Sequence, residues 1–250
     1  YFGFPTNKAL DDLILELKSK SVIIIEDVTH TLLSNYEKKE YNDFVVGSIR
    51  KWFGIPSGGF LASKETICVN IQNPPEDFIG LRVASLKKKD EYIKTGNMAL
   101  KDEFLSGFRR AEQMLNRDKK PYGIDKLSNS IIQNINVDEV RKIRKRNYEY
   151  LLDKLKGINN IKILFSITDD DNITPFFFPI YVKCDRDRLR SFLTNRNIYC
   201  PVHWPIPSKL SGKLSENLRW IYNSILSIPC DQRYNGDDMW RIISTIEELV

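Results

Sequence analysis

Histidine is nearly absent, with His30 and His203 the two in 250 residues. Cysteine is sparse as well. Cys68, Cys184, Cys200 and Cys230 stand far apart with no CxxC pair, which argues against a zinc ribbon and a disulfide framework and fits a reducing cytoplasm. The Asp169-Asp170-Asp171-Asn172 run lacks the alternating ligand positions and closing Glu of a calcium loop. It reads as a solvated turn, and no metal site is expected. No apolar run approaches the roughly 20 residues that span a bilayer. The chain opens on Tyr1-Phe2-Gly3, with neither an initiator methionine nor the basic start of a secretory leader. An excess of one charge is missing too. The net charge is +5, with both signs interspersed. The two basic runs, 87–89 and 141–146, lie in helical patterns and read as solvated helix faces, and no motif of defined nucleic-acid geometry occurs.

What is present centres on residues 21–62. The apolar run 22–25 has the continuous pattern of a parallel strand buried on both faces. It stops at Glu26-Asp27, placing two carboxylates at a strand's C-terminal end, the edge where open α/β sheets bind ligands. His30 follows three residues later. A second apolar run, 44–46, delivers Gly47-Ser48-Ile49-Arg50-Lys51, and the Gly58-Gly59 pair precedes a strand restart at 60–62. One chemistry explains this order: a pyridinium needs a buried carboxylate, for which Asp27 is placed, a carbonyl cofactor needs an amine, for which Lys51 is the candidate, and a phosphate needs donors, with Ser48 three residues before the lysine.

In the order Glu-Asp, His, Ser, Lys, Gly-Gly, this stretch resembles the fold-type-I pyridoxal-phosphate aminotransferases, and most of all their sugar-aminotransferase branch, the DegT/DnrJ/StrS family. The resemblance implies that Asp27 meets the pyridine nitrogen, His30 lies by the ring, Ser48 touches the phosphate, and Lys51 holds the cofactor as a Schiff base and moves the proton. Many members have a longer Ser-to-Lys spacing, and the Ser-x-x-Lys found here is that of the wider class. Relatives acting as dehydratases carry His in place of the lysine, so Lys51 favours transamination. A family Gly-Tyr-Asn element has only Gly96-Asn97 as a partial counterpart. The resemblance also implies a homodimer, and that roughly the N-terminal third of a typical member is missing.

The remaining pattern predicts an α/β chain: the C-terminal part of a fold-type-I large domain over 1–118 and a small α+β domain over 119–250, parted at the polar breaker 117–123. A helix over 7–18 has Thr6 or Asn7 as its cap, and 76–116 is helical and charged. A long helix covers 137–157, followed by strands over 161–167 and 176–182 and a helix over 185–197. A strand over 198–205 runs into a Pro-rich loop. Then come a helix over 214–226, a short strand and turn over 228–234, and a final helix over 237–249. Trp52 and Phe53 are expected to keep the Lys51 amine dry. His203 and Trp204, set between prolines, are candidates for the substrate cleft. Arg233 reads first as half of an ion pair.

The expected function is a cytoplasmic pyridoxal 5'-phosphate-dependent aminotransferase, passing an amino group to a nucleotide-linked keto sugar or similar carbonyl compound in surface polysaccharide or secondary-metabolite synthesis. Lys51 and Asp27 are the catalytic pair. A non-catalytic aminotransferase-like module is the alternative. A basic nucleic-acid-binding domain is the rival from another class, marked by steep salt dependence.

Overall fold

The computed structural model describes residues 1–5, 10–35, 39–117, 120–166, 172–203, 205–210 and 212–249. Contacts divide the chain into two compact units. The first gathers Tyr1–Lys8, Leu33–Lys38 and Asn136–Val250. The second holds Ala9–Leu32 and Lys39–Ile135. The chain therefore divides at 135/136 and not at the polar breaker. The reason is a short helix the sequence pattern does not announce, α4 (Lys126–Gln133), tied to residue 57 by its N-cap Asp125.

The second unit opens with α1 (Asp11–Ser19), which has Asp11 and Asp12 in its first turn and Lys18 in its last, as the helix dipole favours. The caps expected at Thr6 and Asn7 lie outside the described residues. A three-stranded sheet follows: β1 (Ile25–Asp27), β2 (Phe44–Gly47) and β3 (Phe60–Ser63). β1 pairs with β2 in parallel, Asp27 opposite Val46, and β2 pairs with β3 antiparallel. The run 22–25 is not the doubly buried strand its composition predicts. Only Ile25 enters β1, and Ile23 and Ile25 are 65% and 62% exposed. Ser21, at φ 60°, turns the chain out of α1, and Val22 N–H is still bonded to Leu17 O. Pairing begins where Ile24 N–H donates to the Asp43 carboxylate at 2.8 Å, and β1 then pairs on one side only.

α2 (Glu76–Thr95) and α3 (Met98–Arg117) form an antiparallel hairpin turning at Gly96-Asn97. Asn97 serves as a local cap, its Oδ1 accepting Ala99 N–H at 3.1 Å. The helices approach closely at Gly107, where an added Cβ would sit 2.1 Å from Ser85 Oγ. The surrounding buried apolar side chains are few: Phe78, Phe104 and Ala111.

The first unit is an antiparallel sheet in the order β4 (Ile161–Ile163), β5 (Phe178–Val182), β6 (Ile225–Ile228). Its helices are α5 (Val137–Leu155), α6 (Arg186–Asn195), α7 (Glu216–Ser224) and α8 (Gly236–Glu247). Tyr148, Leu151 and Leu155 of α5, Phe178 and Ile180 of β5, and Met239 and Ile246 of α8 meet in one fully buried cluster. Phe2 and Phe4 join it, and Phe176 N–H donates to Phe2 O at 2.8 Å.

Three local expectations change in this unit. The stretch 198–205 forms no strand among its described residues, because Pro201 and Pro205 withdraw ladder donors. The third strand is instead β6, whose residues 226–228 are buried. The basic run 141–146 is also not wholly solvated. Arg144 is 2% exposed and donates to Pro175 O, Phe176 O and Gln232 Oε1 at 3.0, 3.1 and 2.7 Å. Beside it, Asn147 Nδ2 reaches Asp231 O and Tyr234 O at 3.2 and 3.0 Å. Burial lowers the Arg144 pKa from its ordinary value, but its carbonyl partners satisfy the charge. The Asp169-Asp170-Asp171 turn lies outside the described residues. No helix among those described is long and apolar enough to cross a membrane.

Candidate active site

Parallel pairing of β1 and β2 decides where the candidate residues emerge. Both strands end at the same sheet edge, so Asp27 and His30 leave it beside Ser48 and Lys51. Thr29 stitches the two segments together. Its hydroxyl accepts Ser48 N–H at 3.0 Å, and its carbonyl accepts the Trp52 indole N–H at 2.6 Å. Val28 N–H adds a bond to Val46 O at 2.9 Å. Thr29 is a residue that motif reading passed over. The available signal was a hydroxyl between Asp27 and His30 with no other assigned part.

Lys51 closes a single 3-10 turn, Ile49–Lys51. The turn is held from below by the Gly58 carbonyl, which accepts Ile49 N–H at 3.2 Å and Arg50 N–H at 3.4 Å. Gly58 sits at φ +138°, where a Cβ would meet Ile55 Cδ1 at 3.0 Å, so glycine is required there. The Gly58-Gly59 spacing after Lys51 thus has a direct structural use.

Two expectations about the site's polarity are not met. Trp52 is 2% exposed and packs beneath the turn, yet Lys51 is exposed. Burying the indole anchors the backbone and leaves the amine in water. Asp27 is exposed as well, its Oδ1 accepting Thr29 N–H at 2.9 Å. Ser48 and His30 are half-buried. Behind the turn, Arg50 donates to Glu112 Oε1 of α3 at 3.1 Å. Arg82 of α2 lies 3.6 Å from the same oxygen and over the Phe108 ring. Desolvation and then Arg50 lower the Arg82 pKa, against the pull of Glu112.

The parallel pairing brings the segments bearing a carboxylate, a hydroxyl and an amine to one sheet edge. A carboxylate, a hydroxyl and an amine are the donor types that pyridoxal phosphate calls for. Among the described residues, no cluster of three or more His, Cys, Asp or Glu is arranged to hold a metal.

His203 belongs to the other unit. Its ring packs edge-on against Phe177 at 4.9 Å and is tilted toward Phe2 at 5.8 Å. Trp204 lies outside the described residues. Arg233 binds Asp231 in a two-pronged pair at 2.7 and 2.8 Å, the structural ion pair expected of it.

Residues 130–247 match the model of the DegT/DnrJ/EryC1/StrS aminotransferase family. No curated protein matches the chain. Among solved structures, it is similar to the sugar aminotransferase CalS13 from Micromonospora echinospora. The identity is 17% and the TM-score 0.59, over 100% of this chain and 65% of that one. It is also similar to PseC of Helicobacter pylori, an aminotransferase involved in pseudoaminic acid biosynthesis (14%, 0.59, 99% and 64%). Spr1654 of Streptococcus pneumoniae, solved in a PLP-form, gives 15% and 0.56 over 94% and 60%. At these identities the likeness establishes the fold, that of the fold-type-I pyridoxal-phosphate aminotransferases. The chain spans 60–65% of the length of these three structures.

Proposed function

We propose that this chain, whose C-terminal half carries the DegT/DnrJ/EryC1/StrS aminotransferase match, is part of a pyridoxal-phosphate-dependent sugar aminotransferase with Lys51 as its reactive amine. The observation that carries this reading is the parallel β1–β2 pairing, which delivers Asp27 and Lys51 to one edge with Thr29 between their segments. Pyridoxal phosphate, when bound, supplies an electron sink for the carbon that loses its proton. Asp27 would hold a proton on the ring nitrogen. The Ser48 hydroxyl would orient the phosphate. Lys51 Nζ would take the proton from the donor's α-carbon and return it on the acceptor half-reaction. His30, half-buried on the β1 side, would border the ring. His203 and Trp204 are proposed as substrate contacts.

The acceptor we propose is a nucleotide-linked keto sugar or a similar carbonyl compound, with an amino acid as donor. The name of CalS13 supports the sugar. A homodimer and a cytoplasmic setting complete the reading. The four cysteines, all free, support a reducing compartment.

Exposure of both Asp27 and Lys51 favours a second reading for the chain by itself: an aminotransferase-like module that binds without turnover. One experiment separates the two. The chain is mixed with pyridoxal phosphate, scanned for a visible band, reduced with borohydride and peptide-mapped, and amino acid donors are then added. An adduct on Lys51 whose band is discharged by donors supports the enzyme. A Lys51 adduct that no donor discharges supports the module. No Lys51 adduct, in this chain and in one extended at its N-terminus, overturns the enzyme and makes the non-catalytic module the better account.

A further inference from the structure

The N-cap of α4 does more than cap its helix. Asp185 of α6 and Asn136 of α5 are ordinary caps in exposed surroundings, each accepting one N–H, from Arg188 and Glu139. Asp125 is 7% exposed, and its Oδ1 accepts Ser128 N–H at 2.9 Å in the same manner. Its second oxygen is surplus to capping. Oδ2 accepts the Ser57 hydroxyl at 2.5 Å, across 68 residues of sequence, and the Ser128 hydroxyl as well. In return, Asp125 N–H donates to Ser57 Oγ at 3.0 Å and Ser57 N–H to Ser128 Oγ at 3.1 Å.

This network has one consistent polarity. An ionised carboxylate only accepts, so both hydroxyl protons point at Oδ2. The hydroxyl oxygens are then left to accept the two backbone N–H groups, and each of these donors finds its acceptor. Burial pushes the Asp125 carboxyl up, but the Ser128 and Ser57 hydrogen bonds outweigh it and hold it below the usual carboxylate range. A buried network satisfied in this way is stiff.

Its stiffness reaches the lysine. Ser57 is followed by Gly58, whose carbonyl receives Ile49 and Arg50 N–H, and Lys51 N–H then bonds Ser48 O at 3.4 Å. We propose that Asp125 and Ser57 are positioning residues for the Lys51 turn, fixing the amine's place at the sheet edge through the Gly58 carbonyl. The functional weight of this clamp rests on Lys51 being the reactive amine, and its mechanics do not.

The test uses the full chain without cofactor. Amide hydrogen exchange is followed at Ile49 and Arg50, and Lys51 acetylation is followed against pH. Ser57→Ala leaves the Oδ1 cap of α4 in place. It is expected to speed exchange at both amides roughly five- to tenfold, the worth of one ordinary hydrogen bond, and to change the rate of Lys51 acetylation. Amides of α2 and α3 should not change. Asp125→Ala should do the same more strongly, and Asp125→Asn, which turns one of the two accepting oxygens into a donor, should fall between Asp125→Ala and the unaltered chain. Unchanged Ile49 and Arg50 exchange in Ser57→Ala overturns the clamp, including the case where Asp125→Ala alone has an effect through loss of the cap. A missing cofactor adduct on Lys51 is read from a separate spectrum and leaves the exchange result standing.

Discussion

In the unit built around β5, Leu151, Leu155, Phe178, Ile180, Leu226 and Met239 lose all contact with solvent. In the unit that carries Lys51, Ile23, Ile25, Leu61 and Ile71 stand more than half exposed, and the described buried apolar side chains reduce to Val28, Trp52, Ile55, Phe78, Phe104 and Ala111. One unit closes its own core. The other spends its sequence on a sheet edge and a helical hairpin. The polar groups differ in parallel. Arg144 and Asn147 are sealed against carbonyls, whereas Asp27 and Lys51 face water.

The largest effect that sharpens this contrast is a matched pair of truncations. Leu151→Ala should cost about 2–5 kcal/mol by cavity formation, whereas Leu61→Ala should stay within about 0.5 kcal/mol. Both are read from chemical denaturation. If Leu61→Ala costs as much as Leu151→Ala, and does so more at high protein concentration, the exposed face is covered by association and the contrast breaks.

Next comes acid. Burial raises the Asp231 pKa, but the hydrogen bonds and charge of Arg233, then Arg144, bring it below the ordinary value. A depressed folded pKa contributes stability above the unfolded value of about 3.9, lost as pH falls through the folded pKa. The melting temperature of this unit should therefore fall as pH drops below about 4. Asp231→Asn should flatten that limb and cost about 1–3 kcal/mol at neutral pH.

The smallest effect concerns α8, where the Asn235 side chain accepts Asp237 and Asp238 N–H at 2.9 and 3.1 Å, and Asp238 returns a bond to Asn235 N–H at 3.0 Å. Asn235→Ala should cost about 1 kcal/mol in thermal unfolding. A loss confined to the β5 unit would sharpen the comparison, and an equal loss around Lys51 would break it.

Local pattern made part of this legible. The strands flanking Lys51 and the long helix α5 follow from apolar spacing alone, and Gly58-Gly59 marks a real backbone requirement. The family resemblance pointed to the fold that the solved structures share. What local pattern missed depends on partners far along the chain. Residues 22–25 read as a buried strand because composition reports hydrophobicity, not whether a neighbour arrives. Arg144 read as solvated because its carbonyl partners lie near residues 175 and 232. α4 is short and polar, and Asp125 gains its meaning only when Ser57 returns to it across 68 residues. Lys51 was expected to be dry because Trp52 adjoins it, but the turn sends the two side chains to opposite environments.

The Phe2–Phe176 backbone bond has a further consequence, for the order of events during synthesis. The β5 unit is assembled from three separated pieces, and Thr174 N–H reaches back to Ser34 Oγ across 140 residues. Everything in the lysine unit leaves the ribosome before the segment that receives Phe2 and Phe4. Those two rings must wait, uncovered, while a whole neighbouring unit is made. High contact order of this kind slows folding and lengthens the time in which sticky groups are on show. The nascent chain is therefore most in need of a chaperone after Phe4 has emerged and before the β5 segment has.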